Sequence, residues 1–352
     1  MRFDSRRGGG HLGPMKPLLQ VLNGQALEPP PIWLMRQAGR YLPEYRALRA
    51  KAKGFVDMAL NPEMAAEITL QPVRRFGMDG AILFADILLI PHALGQSLTF
   101  VEGEGPRLEP MRDAAGLARL SYKADILSPV METVKRVRAA LPAHTTLIGF
   151  AGAPWTVATY MIEGRGKNEY ENCRRMMWSE PKLFMALMDV LVDATIAYLN
   201  AQADAGAEAL KIFDSWAGAV PASLFDMAVI GPTARIVKGV RAKHPNIRII
   251  GLPRGAGSHL ARYVAETSVD AVGVDHMTDI AAAAASLPAG VAVQGNLDPM
   301  LLMTGGAAME AEARRIVEAM RGRRFIFNLG HGVLQHTPPE HVARLVDVVK
   351  GR

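Results

Sequence analysis

Residues 146–166 read TLIGFAGAPWTVATYMIEGRG. The first seven, TLIGFAG, are small or apolar without a charged break, and Pro154 then opens a stretch with helical character. An unbroken run of this kind fits a strand buried on both faces of a parallel sheet, whereas a strand with one wet face alternates. The pattern recurs along the chain in both directions. Upstream lie Ile32-Trp33-Leu34-Met35 and AILFADILLI (81–90); downstream lie ALKIFDS (209–215), IRIIGLP (247–253), AVGVD (271–275), VAVQGN (291–296) and RFIFNLG (324–330). Between them sit helix-start signals in which a capping side chain precedes proline: Asn61-Pro62-Glu63, Ser128-Pro129, Asp298-Pro299 and Thr337-Pro338-Pro339-Glu340. Eight strand-then-helix units in roughly 320 residues predict a (β/α)₈ barrel over residues 15–352, one domain without a visible linker. The segment Gly95 to Pro110, with Gly103-Glu104-Gly105-Pro106, reads as an inserted hairpin or lid, and the Gly- and Arg-rich residues 1–14 as a disordered leader.

The composition excludes several function classes. At 49% hydrophobic and 21% charged residues, the 352-residue chain has ample material for a core. The net charge of +6 is spread over short pairs such as Arg74-Arg75, Arg174-Arg175 and Arg323-Arg324, not gathered on a tail, which argues against nucleic acid as a partner. The one cysteine, Cys173, cannot form a disulfide within the chain or build a multi-thiolate zinc site, and it fits a reducing, cytoplasmic setting. No unbroken apolar run reaches the length of a membrane span.

In a parallel barrel the chemistry gathers at the carboxyl ends of the strands. The run endings carry Arg36 and Arg40, Asp86, Asp214 and Ser215, Arg254, Asp275 and His276, Gln294 and Asn296, and Asn328 and His331. Arg36 and Arg40, separated by Gln37-Ala38-Gly39, put two guanidinium forks on one short loop, suited to a ligand with several carboxylates, the alternative being that one of them forms a structural ion pair with a neighbouring acid. Asp86 is an acid set among apolar residues, fit to bind N–H groups or stabilise a developing cation, or else to cap a helix or pair with Arg36. Tyr160 can donate to a carboxylate or merely pack, Ser215 can hold a ligand or cap, and His331 sits in a Gly-flanked loop of the kind that binds anions. GLPRGAGSH (251–259) reads as structural, and His276 with Asp275 shows no metal-ligand spacing.

These residues resemble the uroporphyrinogen decarboxylase family. The likeness rests on PIWLMRQAGRYLPEYR (31–46) and GFAGAPWTVATYMIEGRG (149–166), supported in family order by AILFADIL, KIFDSWAG, LPRGAG and FNLGHGVLQHTPPEHV, and runs from about Met15 to the end. It implies a distorted (β/α)₈ barrel with a deep cleft, a homodimer, no metal and no organic cofactor. It further implies removal of four acetate carboxyl groups from uroporphyrinogen III to give coproporphyrinogen III. Carried over by position, the substrate-binding set is Arg36, Gln37, Ala38, Gly39, Arg40, Asp86, Tyr160, Ser215 and His331. Asp86 would stabilise the cationic intermediate and Arg36 is the candidate proton donor. Related barrel methyltransferases rely on a zinc-bound thiol site, which the helical, Arg-flanked setting of Cys173 does not suit. A non-catalytic tetrapyrrole carrier would share the arginines without needing Asp86.

Overall fold

Seven of the eight runs become strands of one parallel sheet. The computed structural model describes residues 16–101, 104–166 and 169–352, so the leader lies outside the described residues. In chain order the strands are β1 (Gly80–Ile82), β2 (Leu98–Val101), β3 (Gly105–Leu108), β4 (Thr146–Gly152), β5 (Ala209–Asp214), β6 (Arg248–Pro253), β7 (Ala271–Gly273), β8 (Ala292–Leu297) and β9 (Phe325–Leu329). Seven of them pair in the order β1-β4-β5-β6-β7-β8-β9, every pair parallel. β2 and β3 pair antiparallel as the inserted hairpin.

The prediction of eight strands needs correction at the first run. Residues 32–35 lie between β9 and β1 but form a single bridge, Ile32 to Phe327, so the sheet curls as an open half-barrel. The reason lies in competing acceptors. The N–H of Ile32 goes to Asp79 Oδ2 (2.8 Å), that of Leu34 to Gln37 Oε1 (3.0 Å) and that of Met35 to Asn328 Oδ1 (3.0 Å), so side chains take donors that a ladder would need. Backbone contact persists on both sides, from Asp79 N–H to the Ile32 carbonyl and from Phe327 N–H to the Pro31 carbonyl (2.9 Å each). The run AILFADILLI is also shorter as a strand than predicted: β1 stops at Ile82 and Leu89–Ala93 is helical, which leaves Asp86 in the connecting turn.

Two apolar layers hold the sheet. The inner face gathers Trp33, Met35, Ile82, Ile148, Phe150, Ile250, Leu252 and Ile326 around Leu18, Val21 and Leu22 of the helix Pro17–Leu22. The larger layer lies between sheet and helices. Asn61 and Asp298 cap as predicted, accepting from the N–H of Met64 and Met300, but Ser128 bonds the Asp125 carbonyl instead and Thr337 makes no cap. The longest helix, Pro181–Ala205, is long and apolar enough to cross a membrane, although half of its most apolar stretch is buried within the protein. Lys211 faces the inner layer fully buried, its Nζ 5.4 Å from the Trp33 ring and 5.2 Å from the Phe213 ring, and burial pulls its pKa down to about 7.

Candidate active site

The Arg36 loop is fixed from below. Gln37 is fully buried, with Oε1 accepting from Leu34 N–H and Nε2 donating to the Gly80 carbonyl (3.0 Å each). Its side chain is thus a strut between the loop and β1. Asn328 Oδ1 accepts from the N–H groups of both Met35 and Leu329, tying the loop's root to β9. Held this way, Arg36 sits in the left-handed region at φ 58°, which costs a non-glycine residue on the order of 1–3 kcal/mol. Its aliphatic stem lies over Gly332, where a Cβ would come within 2.3 Å of Arg36 Cδ, so the loop after β9 must carry glycine there. The guanidinium is exposed and has no ion-pair partner among the described residues.

Asp86, Tyr160 and His331 share the field of that guanidinium. Burial pushes the Asp86 carboxyl up to about 6, against the pull of the Leu88 N–H on Oδ1 (2.8 Å) and of the Arg36 charge. Burial and the Asp86 charge push the Tyr160 phenol up while Arg36 pulls it down. His331 is driven to about 3, first by burial and then by the charges of Arg36, Arg254 and His276, so its imidazole is neutral at physiological pH. A cation, a perturbed carboxyl, a phenol and a neutral imidazole thus lie close enough to act on one another's charge.

Ser215 stands just past β5 and lines a cavity of about 200 Å³ with Trp216, Arg254, Asp275 and Met277. It makes no helix cap. Arg254 follows β6, and its charge is felt at His331 and Tyr170. A larger cavity of about 610 Å³ opens beside it, between His276, Asn296 and the helix Gly306–Ala319.

The structure therefore brings Arg36, Asp86, Tyr160 and His331 together, with Ser215 joined to them through the Arg254 side of the rim. Two members of the sequence set behave differently. Gln37 is interior, and Arg40 leans across the exposed rim toward Gln335 Oε1 (3.4 Å). Ala38 packs half-buried against the outer core, and Gly39 turns the chain by accepting the Leu42 N–H (3.0 Å). Arg254 and Trp216 are the residues that the sequence reading left out of the site; the position of Arg254 at a strand end was the available signal. Cys173 is buried in the helix Glu171–Ser179, its N–H on Glu163 Oε1 (2.9 Å), and burial raises its thiol pKa.

A curled parallel sheet with arginines and a perturbed carboxyl at its carboxyl-end rim defines an α/β barrel-type enzyme. The sequence profile described as uroporphyrinogen decarboxylase matches residues 13–352. A protein of that name from Rhizorhabdus wittichii is 54% identical over 336 residues, covering 96% of this chain and 98% of its own length. One from Acidiphilium cryptum is also 54% identical, covering 94% and 93%. Among solved structures, a methyltransferase from Methanosarcina mazei shares the fold with a TM-score of 0.78 at 20% identity, covering 95% of this chain and 97% of that one. This chain belongs to the uroporphyrinogen decarboxylase family.

Proposed function

We propose that Asp86 and Arg36 carry, in this cleft, the carboxy-lyase reaction that family membership assigns to the chain: removal of the four acetate carboxyl groups of uroporphyrinogen III, giving coproporphyrinogen III and CO₂, in haem biosynthesis. The observation that supports these roles is a half-buried carboxyl that feels the charge of an unpaired guanidinium at the rim of the sheet. Breaking the bond to CO₂ leaves an electron pair on the acetate methylene. A pyrrole protonated at the adjacent ring carbon accepts that pair, because protonation makes the ring an iminium-like cation. The exocyclic methylene so formed then takes a proton to become methyl and the ring carbon gives its added proton back, a net uptake of one proton for each CO₂ released. Asp86, ionised, accepts the pyrrole N–H groups and stabilises the cation, an interaction strengthened by partial exclusion of water. Arg36 and Arg40 hold carboxylates of the substrate, with Tyr160, Ser215 and the neutral His331 adding hydrogen bonds.

Arg36, through a relayed water, is the proposed proton donor. The value of about 6 at Asp86 favours a second reading, in which this carboxyl, protonated in part near pH 6, itself donates the proton. The two differ in the pH profile: an Asp86 that must be ionised gives activity rising with pH through about 6, and a donating Asp86 gives activity falling. The reading further includes one barrel-type domain over residues 15–352, with residues 32–35 in the eighth strand position, as well as a homodimer and a cytoplasmic location. Anaerobic incubation with uroporphyrinogen, with products resolved by carboxyl number, tests the activity. Recovery of the octacarboxylate unchanged but bound would make the protein a carrier.

A further inference from the structure

The rim at the end of β6 holds a second cation that the proposed roles do not use. Along the curled sheet β1, β4 and β5 precede β6, so Arg254 leaves the mouth three strands beyond β1, whereas the Arg36 loop sits between β9 and β1. Its main chain is stitched on both sides: its N–H donates to the Asp214 carbonyl (3.0 Å) and its carbonyl accepts from Gly218 N–H (2.9 Å). The next residue, Gly255, lies at φ 77°, and a Cβ on Gly218 would meet its carbonyl oxygen at 2.9 Å, so the two loops approach as closely as glycines allow.

The guanidinium itself is half-buried and has neither an ion pair nor a hydrogen bond among the described residues. The acid lining the same cavity, Asp275, is already engaged. Its Oδ2 accepts from Gly255 N–H (2.9 Å), and its Oδ1 accepts from Met277 N–H (3.0 Å) and the Thr278 hydroxyl (3.2 Å). Trp216 forms part of the same wall, its indole N–H buried toward the Tyr160 phenol. A half-buried arginine with no counter-charge is expensive unless something anionic completes it.

We propose that Arg254 and Ser215 form a second carboxylate subsite, which takes a propionate of the tetrapyrrole at the end of β6, away from the Arg36 loop. This rests on the substrate class proposed above. A macrocycle with carboxylates all round its edge needs a cation at more than one point of the mouth to be held in one orientation while an acetate faces Asp86. Because the propionates survive the reaction, the subsite holds product as well as substrate.

Two readouts test it, one independent of turnover. Anaerobic titration of coproporphyrinogen III against protein fluorescence gives product affinity, and initial rates with uroporphyrinogen III give KM and kcat. Arg254→Gln is expected to weaken product binding and raise KM by about 10- to 100-fold, with kcat within about threefold. Arg254→Lys, which keeps the charge without the fork, should fall between it and the wild type. A folded Arg254→Gln with unchanged product affinity and KM would overturn the subsite, as would a loss confined to kcat. Should Arg254→Gln fail to fold, Arg254→Lys decides: affinity equal to wild type overturns the proposal and a several-fold loss supports it. Failure of the unaltered protein to release CO₂ would count against the proposed activity, while the product titration would still read the subsite.

Discussion

Two aspartates near the carboxyl end of the sheet, Asp86 and Asp214, are both pushed up by burial, to about 6 and about 7. Asp86 looks into the cleft, with Leu88 N–H on one oxygen and the Arg36 charge acting on it. Asp214 is 1% exposed; the Thr156 hydroxyl donates to Oδ1 at 2.5 Å and Oδ2 has no partner. Thr156 Oγ1 in turn accepts from Trp216 N–H (3.1 Å), so this acid braces the backbone beside Ser215 without facing the cleft. A displaced pKa alone thus fails to mark a catalytic group. Access to the ligand and an unpaired opposite charge separate the two.

The largest expected effect falls on the cleft side. Asp86→Asn keeps the volume and loses the charge, and kcat should drop by about 100- to 1,000-fold, as for removal of one preorganised charge-stabilising group. Near-normal turnover would collapse the distinction between the two aspartates. Arg36→Lys comes next: it retains a cation but no fork, and kcat/KM should fall by about 10- to 100-fold. Arg36→Gly sharpens the same point, since glycine accepts φ 58° freely; activity should vanish while the urea midpoint holds or rises. A fall in midpoint would mean that the arginine serves the fold. A smaller effect is the acidic limb of the rate profile. With Asp86 required as a carboxylate, kcat/KM should decline as pH falls through about 6, and what activity Asp86→Asn retains should lack that limb.

How much of this the sequence made legible follows from what each residue contacts. TLIGFAG maps onto β4 without a residue's error because it is laddered to β1 on one side and β5 on the other with all seven residues buried, although the N–H groups of Leu147 and Phe150 go to Glu208 Oε2 and Gln202 Oε1. The run at 32–35 misleads because its composition is that of a strand while it makes only the Ile32–Phe327 bridge and its N–H groups go to the adjacent Gln37 and to Asp79 and Asn328, remote side chains that no local pattern announces. Arg40 and Arg254 show the same limit at the site. Both follow strand-like runs, yet Arg40 reaches Gln335 across the rim and Arg254 stays unpaired beside Ser215. Strand ends locate the mouth; which guanidinium is free there depends on loops brought from elsewhere in the chain.

Asp214→Asn should leave kcat within about threefold, because no ligand-facing group is lost, and its mark should appear in stability against pH. The folded state holds the Asp214 proton up to about pH 7, whereas the unfolded chain releases it near the ordinary 3.8. Below that lower value both states are protonated and the acid is without penalty. Between about 4 and 7 the unfolded state gains from ionising and the folded state does not, so stability declines as pH rises and levels off above 7. Asparagine cannot ionise in either state, so the variant should lack this part of the decline. Urea midpoints at pH 4 and pH 8 therefore check the assignment: the difference between variant and wild type should move in the variant's favour at the higher pH, by an amount on the order of a few kcal/mol. An unchanged difference would mean that Asp214 is ionised in the folded protein, with Oδ2 solvated, and that burial does not set the two aspartates apart in the way the cleft and the helix layer imply.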